Sequence, residues 1–102
     1  MRDESTPFQR AIDEVLRDLR PGDVVSYSWV ADEAGRPCAA RAVGTYLGEH
    51  ADPPSWWRVV AADGRLVSPA AEEQACRLSA EGHEVVDGRV RPRPQHPGRG
   101  GV

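Results

Sequence analysis

The sequence predicts a mainly α domain with small β-hairpins, laid out as a winged helix-turn-helix. Three observations carry that expectation. Apolar residues recur at helical spacing near the start of the chain. A short helix, a tight glycine turn and a second helix with a small-residue outer face follow. Asp-Gly pairs flanked by Val and Leu then mark hairpins. At 102 residues the chain has room for one modest core, so a single domain over 1–90 is expected, with a tail at 91–102.

Thr6-Pro7-Phe8-Gln9 is a helix start: Thr as N-cap, Pro at the first helical position, Gln completing a capping box. Phe8, Ile12, Val15, Leu16 and Leu19 form one apolar stripe, and Pro21-Gly22 ends the helix. Val24 and Val25 give a short extended entry to a second start signal at Ser26. Tyr27 to Ala34 fits a short helix closed by Gly35. From Cys38 to Gly48, a third helix places Ala39, Ala40, Val43, Tyr46 and Leu47 on its buried face. Cys38, Arg41, Thr45 and Gly48 fall opposite, with Gly44 to the side. That outer face is bare of bulk except for one long cation.

A Pro-rich loop spans 49–55. Arg58-Val-Val and Arg65-Leu-Val flank Asp63-Gly64 and are expected to form a hairpin. Ser68-Pro69 starts a fourth helix ending near Glu81-Gly82. Val85 to Val90, around Asp87-Gly88, suggests a second small hairpin. From Arg91 onward the chain is Pro, Gly and Arg with almost no apolar content, which reads as a disordered tail.

Composition narrows the function classes. A net charge of −3 argues against a strong non-specific grip on nucleic acid, which depends on phosphate neutralisation. The acidic surplus lies in residues 1–35, leaving room for a mildly basic face further along. No apolar run approaches the roughly 18 residues of a membrane span, and no signal pattern opens the chain, so a cytoplasmic protein without membrane contact is expected. Cys38 and Cys76 stand alone, and His50, His83 and His96 lack partners at catalytic or metal spacing. No metal site, disulfide or cofactor is expected.

The joint pattern Pro21-Gly-Asp-Val-Val-Ser-Tyr27, Ala34-Gly35-x-Pro37-x-Ala-Ala-Arg41-Ala-Val-Gly44 and Trp56-Trp57-Arg58-Val59-Val60 resembles the DNA-binding domain of O6-alkylguanine-DNA alkyltransferases, over roughly residues 7–90. The repair enzymes of that family carry Pro-Cys-His-Arg-Val, with an alkyl-accepting cysteine and an activating histidine. Here Ser55-Trp56-Trp57-Arg58-Val59 stands in its place, with Trp56 at the cysteine position and Trp57 at the histidine position. An indole N–H donates a hydrogen bond but has negligible basicity, so neither residue can act as nucleophile or general base. The pattern is similar to the alkyltransferase-like proteins, which lack the acceptor cysteine. The resemblance therefore implies no enzyme activity and no catalytic residue.

What it implies instead is a reader of damage. Arg41 would enter the duplex from the minor groove and occupy the space of an extruded nucleotide, where a planar guanidinium can stack and hydrogen-bond. Gly44, Thr45 and Gly48 permit close approach to the groove. Tyr27 would press on the phosphate beside the target nucleotide. Trp56 would wall the pocket for the flipped base, with Trp57 and Arg58 assigned to the same lesion pocket. Trp57 could equally pack internally, Arg58 could instead hold the loop, Trp29 is expected in the core, and Glu81 is expected only to cap its helix. The implied partners are double-stranded DNA with alkylated guanine and nucleotide excision repair proteins, and the chain is expected to be monomeric.

Two rivals stand beside this reading. One is an enzyme taking up alkyl groups on Cys38 or Cys76. The other is a winged-helix regulator or adaptor without lesion specificity, which the expected monomeric form makes less natural because such regulators usually dimerise on two half-sites.

Overall fold

The computed structural model describes residues 6–49 and 53–91. Its elements run α1 (Pro7–Arg17), β1 (Val25–Ser26), α2 (Tyr27–Glu33), α3 (Ala40–Glu49), a 3-10 turn (Trp56–Arg58), β2 (Val59–Val60), α4 (Ala71–Ala80), β3 (Glu84–Val86) and β4 (Arg89–Arg91). No helix among the described residues is long and apolar enough to cross a membrane.

The start of α1 is set by the expected capping box. Thr6 Oγ1 accepts the Gln9 N–H at 3.1 Å, and Gln9 Oε1 accepts the Thr6 N–H at 3.2 Å. The stripe of Ile12, Val15 and Leu16 is buried, and Leu19 is buried just beyond the helix end. Ser26 caps α2 by accepting the Trp29 N–H at 3.1 Å. Val43 and Tyr46 bury the inner face of α3, and the Tyr46 hydroxyl donates to Asp13 Oδ1 at 2.8 Å, tying α3 to α1. Ala39, Ala40 and Leu47, expected inside, are only half-buried. Trp29 is half-buried against the first core.

At Asp63-Gly64 the chain turns back, the Ala61 N–H donating to Arg65 O at 3.0 Å, but β2 and residues 65–67 do not pair as the strands of the expected hairpin. β2 pairs in parallel with β1, Val25 opposite Val59 and Ser26 opposite Val60. The reason lies in burial: Val59 and Val60 are both fully buried, and a strand covered on both faces suits an interior parallel ladder. Successive side chains of a strand point to opposite faces. Val25 and Val59 therefore join Ile12, Leu16, Val30 and Val43 in one core, while Val24 and Val60 join Leu78 and Val90 in another. The two-residue ladder is the partition between them.

Residues 64–66 run instead along β4. The Val90 N–H donates to Gly64 O and the Leu66 N–H to Gly88 O, both at 2.9 Å. Gly64 is required there: its φ is +91°, and a Cβ would come within 3.0 Å of Val90 O. β3 and β4 form the expected antiparallel hairpin, with Asp87 and Gly88 both at positive φ in the turn. Arg91, read as the first tail residue, is the last residue of β4; residues 92–102 lie outside the described part.

Candidate nucleic-acid interface

Helix α3 presents the side chains that the sequence singled out. Arg41, Thr45 and Gly48 are exposed along its outer face, and Gly44 is half-buried. Arg41 makes no ion pair among the described residues. Gly44 lies over the ring of Tyr27, where a Cβ would sit 3.9 Å from Cε1. Tyr27 is the first residue of α2, and burial pushes its phenol pKa up, so the hydroxyl stays a neutral donor at neutral pH.

These residues line one cavity of about 830 Å³. Tyr27, Arg41, Gly44, Thr45 and Gly48 line it together with Trp56, and Arg65, Val67, Ser68 and Pro69 complete the lining with Ala40 and Leu47. Arg65, Val67, Ser68 and Pro69 were not assigned to any site from sequence. The signal was present in the alternation of 65–67: Leu66 packs toward the second core, which turns Arg65 and Val67 to the opposite face. Val67 is 52% exposed, a large aliphatic side chain left open at the cavity.

Trp57 and Arg58, assigned from sequence to the same pocket, are not among its lining residues. They face α4 and are held by Glu81. Glu81 Oε2 accepts the Trp57 indole N–H at 2.8 Å and Arg58 Nη2 at 2.7 Å, while Oε1 accepts Arg58 Nε and the Gly22 N–H, each at 3.1 Å. The Arg58 side chain is 9% exposed, and its remaining amino group donates to Ser55 Oγ at 2.8 Å. Burial alone would push the Glu81 carboxyl up. The Arg58 hydrogen bonds, the Gly22 N–H and the Trp57 indole outweigh it and hold the pKa at about 2, below the ordinary 4.5. Glu81 therefore does more than cap its helix: it joins α4, the tryptophan turn and the chain entering β1.

Other residues of α4 complete the hold. Gln74, 1% exposed, donates through Nε2 to Trp57 O at 3.1 Å and Val59 O at 2.9 Å. Arg77, fixed by Glu73 at 2.6 Å, lies 4.7 Å from the Trp57 ring and 5.7 Å from the Trp56 ring. The two indoles meet edge to face, 6.2 Å apart at 88°. Gln74, Leu78 and Glu81 stand at helical spacing, so the pattern that places them on one side of α4 is present in the sequence. The turn they grip begins at Ser55, whose left-handed φ of 51° reverses the chain before Trp56.

Cys38 does not begin α3. It precedes the helix at φ +74°, exposed, and Cys76 is exposed on α4; neither lines the cavity. Of the histidines, His50 and His96 lie outside the described residues, and His83 Nε2 is buried with no hydrogen-bond partner among them.

Comparison with known proteins points in one direction. The family described as 6-O-methylguanine DNA methyltransferase, DNA binding domain, matches residues 7–83. A methylated-DNA–protein-cysteine methyltransferase of Shigella flexneri is 47% identical over 45 residues, 44% of this chain but only 26% of the relative's length. Among solved structures, S. pombe Atl1 in complex with damaged DNA containing O6-carboxymethylguanine superposes with a TM-score of 0.72 at 26% identity, covering 84% of this chain and 83% of that one. Mycobacterium tuberculosis OGT in complex with DNA gives a TM-score of 0.69 at 32% identity, covering 76% of this chain and 50% of the other.

Proposed function

The chain belongs to the family of 6-O-methylguanine DNA methyltransferase DNA-binding domains, and from that premise we propose that it recognises O6-alkylated guanine in duplex DNA without transferring the alkyl group. One observation carries the reading: Arg41, Tyr27 and Trp56 line a single cavity, and the residue presented there is an indole rather than a thiol. Helix α3 lies along the minor groove, its glycines allowing the backbone to come close. Arg41 takes the place of the extruded nucleotide and donates to the orphaned base. Tyr27, kept neutral, donates to the adjacent phosphate.

The flipped guanine enters the cavity against Trp56, whose face stacks on the purine and leaves room for the alkyl group. Stacking of this kind contributes on the order of 1–3 kcal/mol per base. Alkyl transfer is not supported by the lining: Trp56 has no nucleophilic lone pair, the hydroxyls of Tyr27, Thr45 and Ser68 have no general base beside them among the lining residues, and both thiols lie elsewhere. The protein acts as a cytoplasmic monomer that persists on the lesion, bends the duplex and so presents the site to nucleotide excision repair.

Titration of a labelled duplex with and without one O6-methylguanine tests the reading. Tighter binding to the modified duplex is expected, and equal affinity overturns it. Intact-mass measurement after incubation with the modified duplex tests the absence of transfer; an added methyl mass on the protein would show an enzyme.

A further inference from the structure

We propose that Arg65 makes the cavity selective for adducts ending in a negative charge, such as a carboxymethyl group on guanine O6, over neutral adducts of the same size. The proposal rests on the reading of the cavity as the receiver of an alkylated base. Two arginines line it, Arg41 and Arg65, and no Asp or Glu does among the described residues. Arg41 is engaged in the duplex in that reading, which leaves Arg65 as the cation facing the bound base.

Arg65 is prepared for such a role. Its backbone is anchored beside β4 through the bridge to Arg89. Its N–H donates to Asp63 Oδ1 at 3.1 Å, and its Nε lies 3.1 Å from Asp63 Oδ2. Asp63 is not a lining residue, so it orients the guanidinium from outside the cavity. Both terminal amino groups of Arg65 remain without a partner among the described residues. A planar guanidinium offers two parallel N–H donors at that end, which match the two oxygens of a carboxylate. Leu47, Trp56 and Val67 supply apolar wall for the methylene that carries it.

The surrounding phosphates repel an added carboxylate, so a cavity without its own cation would disfavour the acid relative to its amide. A preference for the acid is therefore diagnostic. A different use of the same side chain, a contact to a backbone phosphate, would strengthen binding to every duplex alike.

Four duplexes differing at one base separate these outcomes: guanine, O6-methylguanine, O6-carbamoylmethylguanine and O6-carboxymethylguanine, each titrated at one fixed salt concentration. Wild-type protein should bind the acid about threefold to tenfold more tightly than the amide, as suits a half-solvated charge-assisted pair. Arg65→Gln, at an exposed position, should bring acid and amide together, the acid duplex losing severalfold more affinity than the methyl duplex does. An acid bound no more tightly than its amide overturns the proposal. So does a parallel loss across all four duplexes in Arg65→Gln, which would make Arg65 a phosphate contact. Failure to tell methylguanine from guanine would instead sink the proposed function, and the undamaged duplex reads that separately.

Discussion

Trp56 and Trp57 are consecutive in sequence and are used in opposite ways. The indole of Trp57 is fixed on every side: its N–H on Glu81, a guanidinium 4.7 Å from its ring on each of two arginines, its carbonyl on Gln74. Trp56 lines an open cavity and touches the same framework through the edge of Trp57 and the more distant Arg77. The contrast teaches how one turn serves two ends. The side facing α4 supplies rigidity, so the side facing the cavity can give its surface to a ligand at little cost to the fold.

The sharpest way to break that division is at Glu81. Removing its carboxylate in Glu81→Ala leaves Arg58 nearly buried without its ion pair, and strands the Trp57 and Gly22 N–H groups. A loss of about 2–4 kcal/mol of stability is expected in urea unfolding, since truncating one partner of a buried pair exposes the desolvation cost of the other. A loss under 0.5 kcal/mol would mean the turn holds itself. The depressed pKa adds a pH signature. Glu81 titrates at about 2 when folded against 4.5 ordinarily, so its contribution is complete above pH 4.5 and is lost as pH falls toward 2. Glu81→Gln should flatten the acid limb of the stability profile in that window.

On the cavity side the expected effects fall on binding. Arg41 is exposed and unpaired among the described residues, so Arg41→Ala should leave the unfolding midpoint unchanged while weakening lesion binding at least about tenfold. Unchanged affinity would remove Arg41 from the mechanism. Trp56→Ala should reduce discrimination between alkylated and normal guanine more than overall DNA affinity, by the roughly 1–3 kcal/mol of a lost stacking platform. A parallel loss on both duplexes would contradict a wall for the flipped base.

Much of this arrangement was legible in the sequence because its determinants are local. The Thr6 capping box, the Ser26 cap, the periodicity of α1 and the Asp87-Gly88 turn each depend on residues within a few positions of one another. The outer face of α3 was readable for the same reason: helical spacing alone brings Arg41, Thr45 and Gly48 together. What escaped was long-range. Val59-Val60 reads as half a hairpin until Val24-Val25, over thirty residues earlier, offers burial on both faces. The far wall of the cavity, from Arg65 to Pro69, depends on that same re-pairing. Glu81 reaching Trp57 and Gly22 depends on where α4 lies, which no local pattern encodes.

The smallest effect belongs to Trp57→Phe, and it bears most directly on the contrast between the two indoles. The substitution keeps an aromatic ring beside Arg58 and Arg77 and deletes the indole N–H. One of four hydrogen bonds to the Glu81 carboxylate is then lost. Glu81 retains Arg58 and Gly22, so no buried charge is stranded, and a loss of about 1 kcal/mol is expected. Because Trp57 lies outside the cavity, discrimination between alkylated and normal guanine should stay within about twofold of wild type, well short of a stacking platform's worth. Paired titrations of Trp57→Phe and Trp56→Phe read this directly. If the Trp57 variant loses discrimination while stability is intact, the second indole reaches the ligand after all, and the turn is not divided between a structural and a binding side.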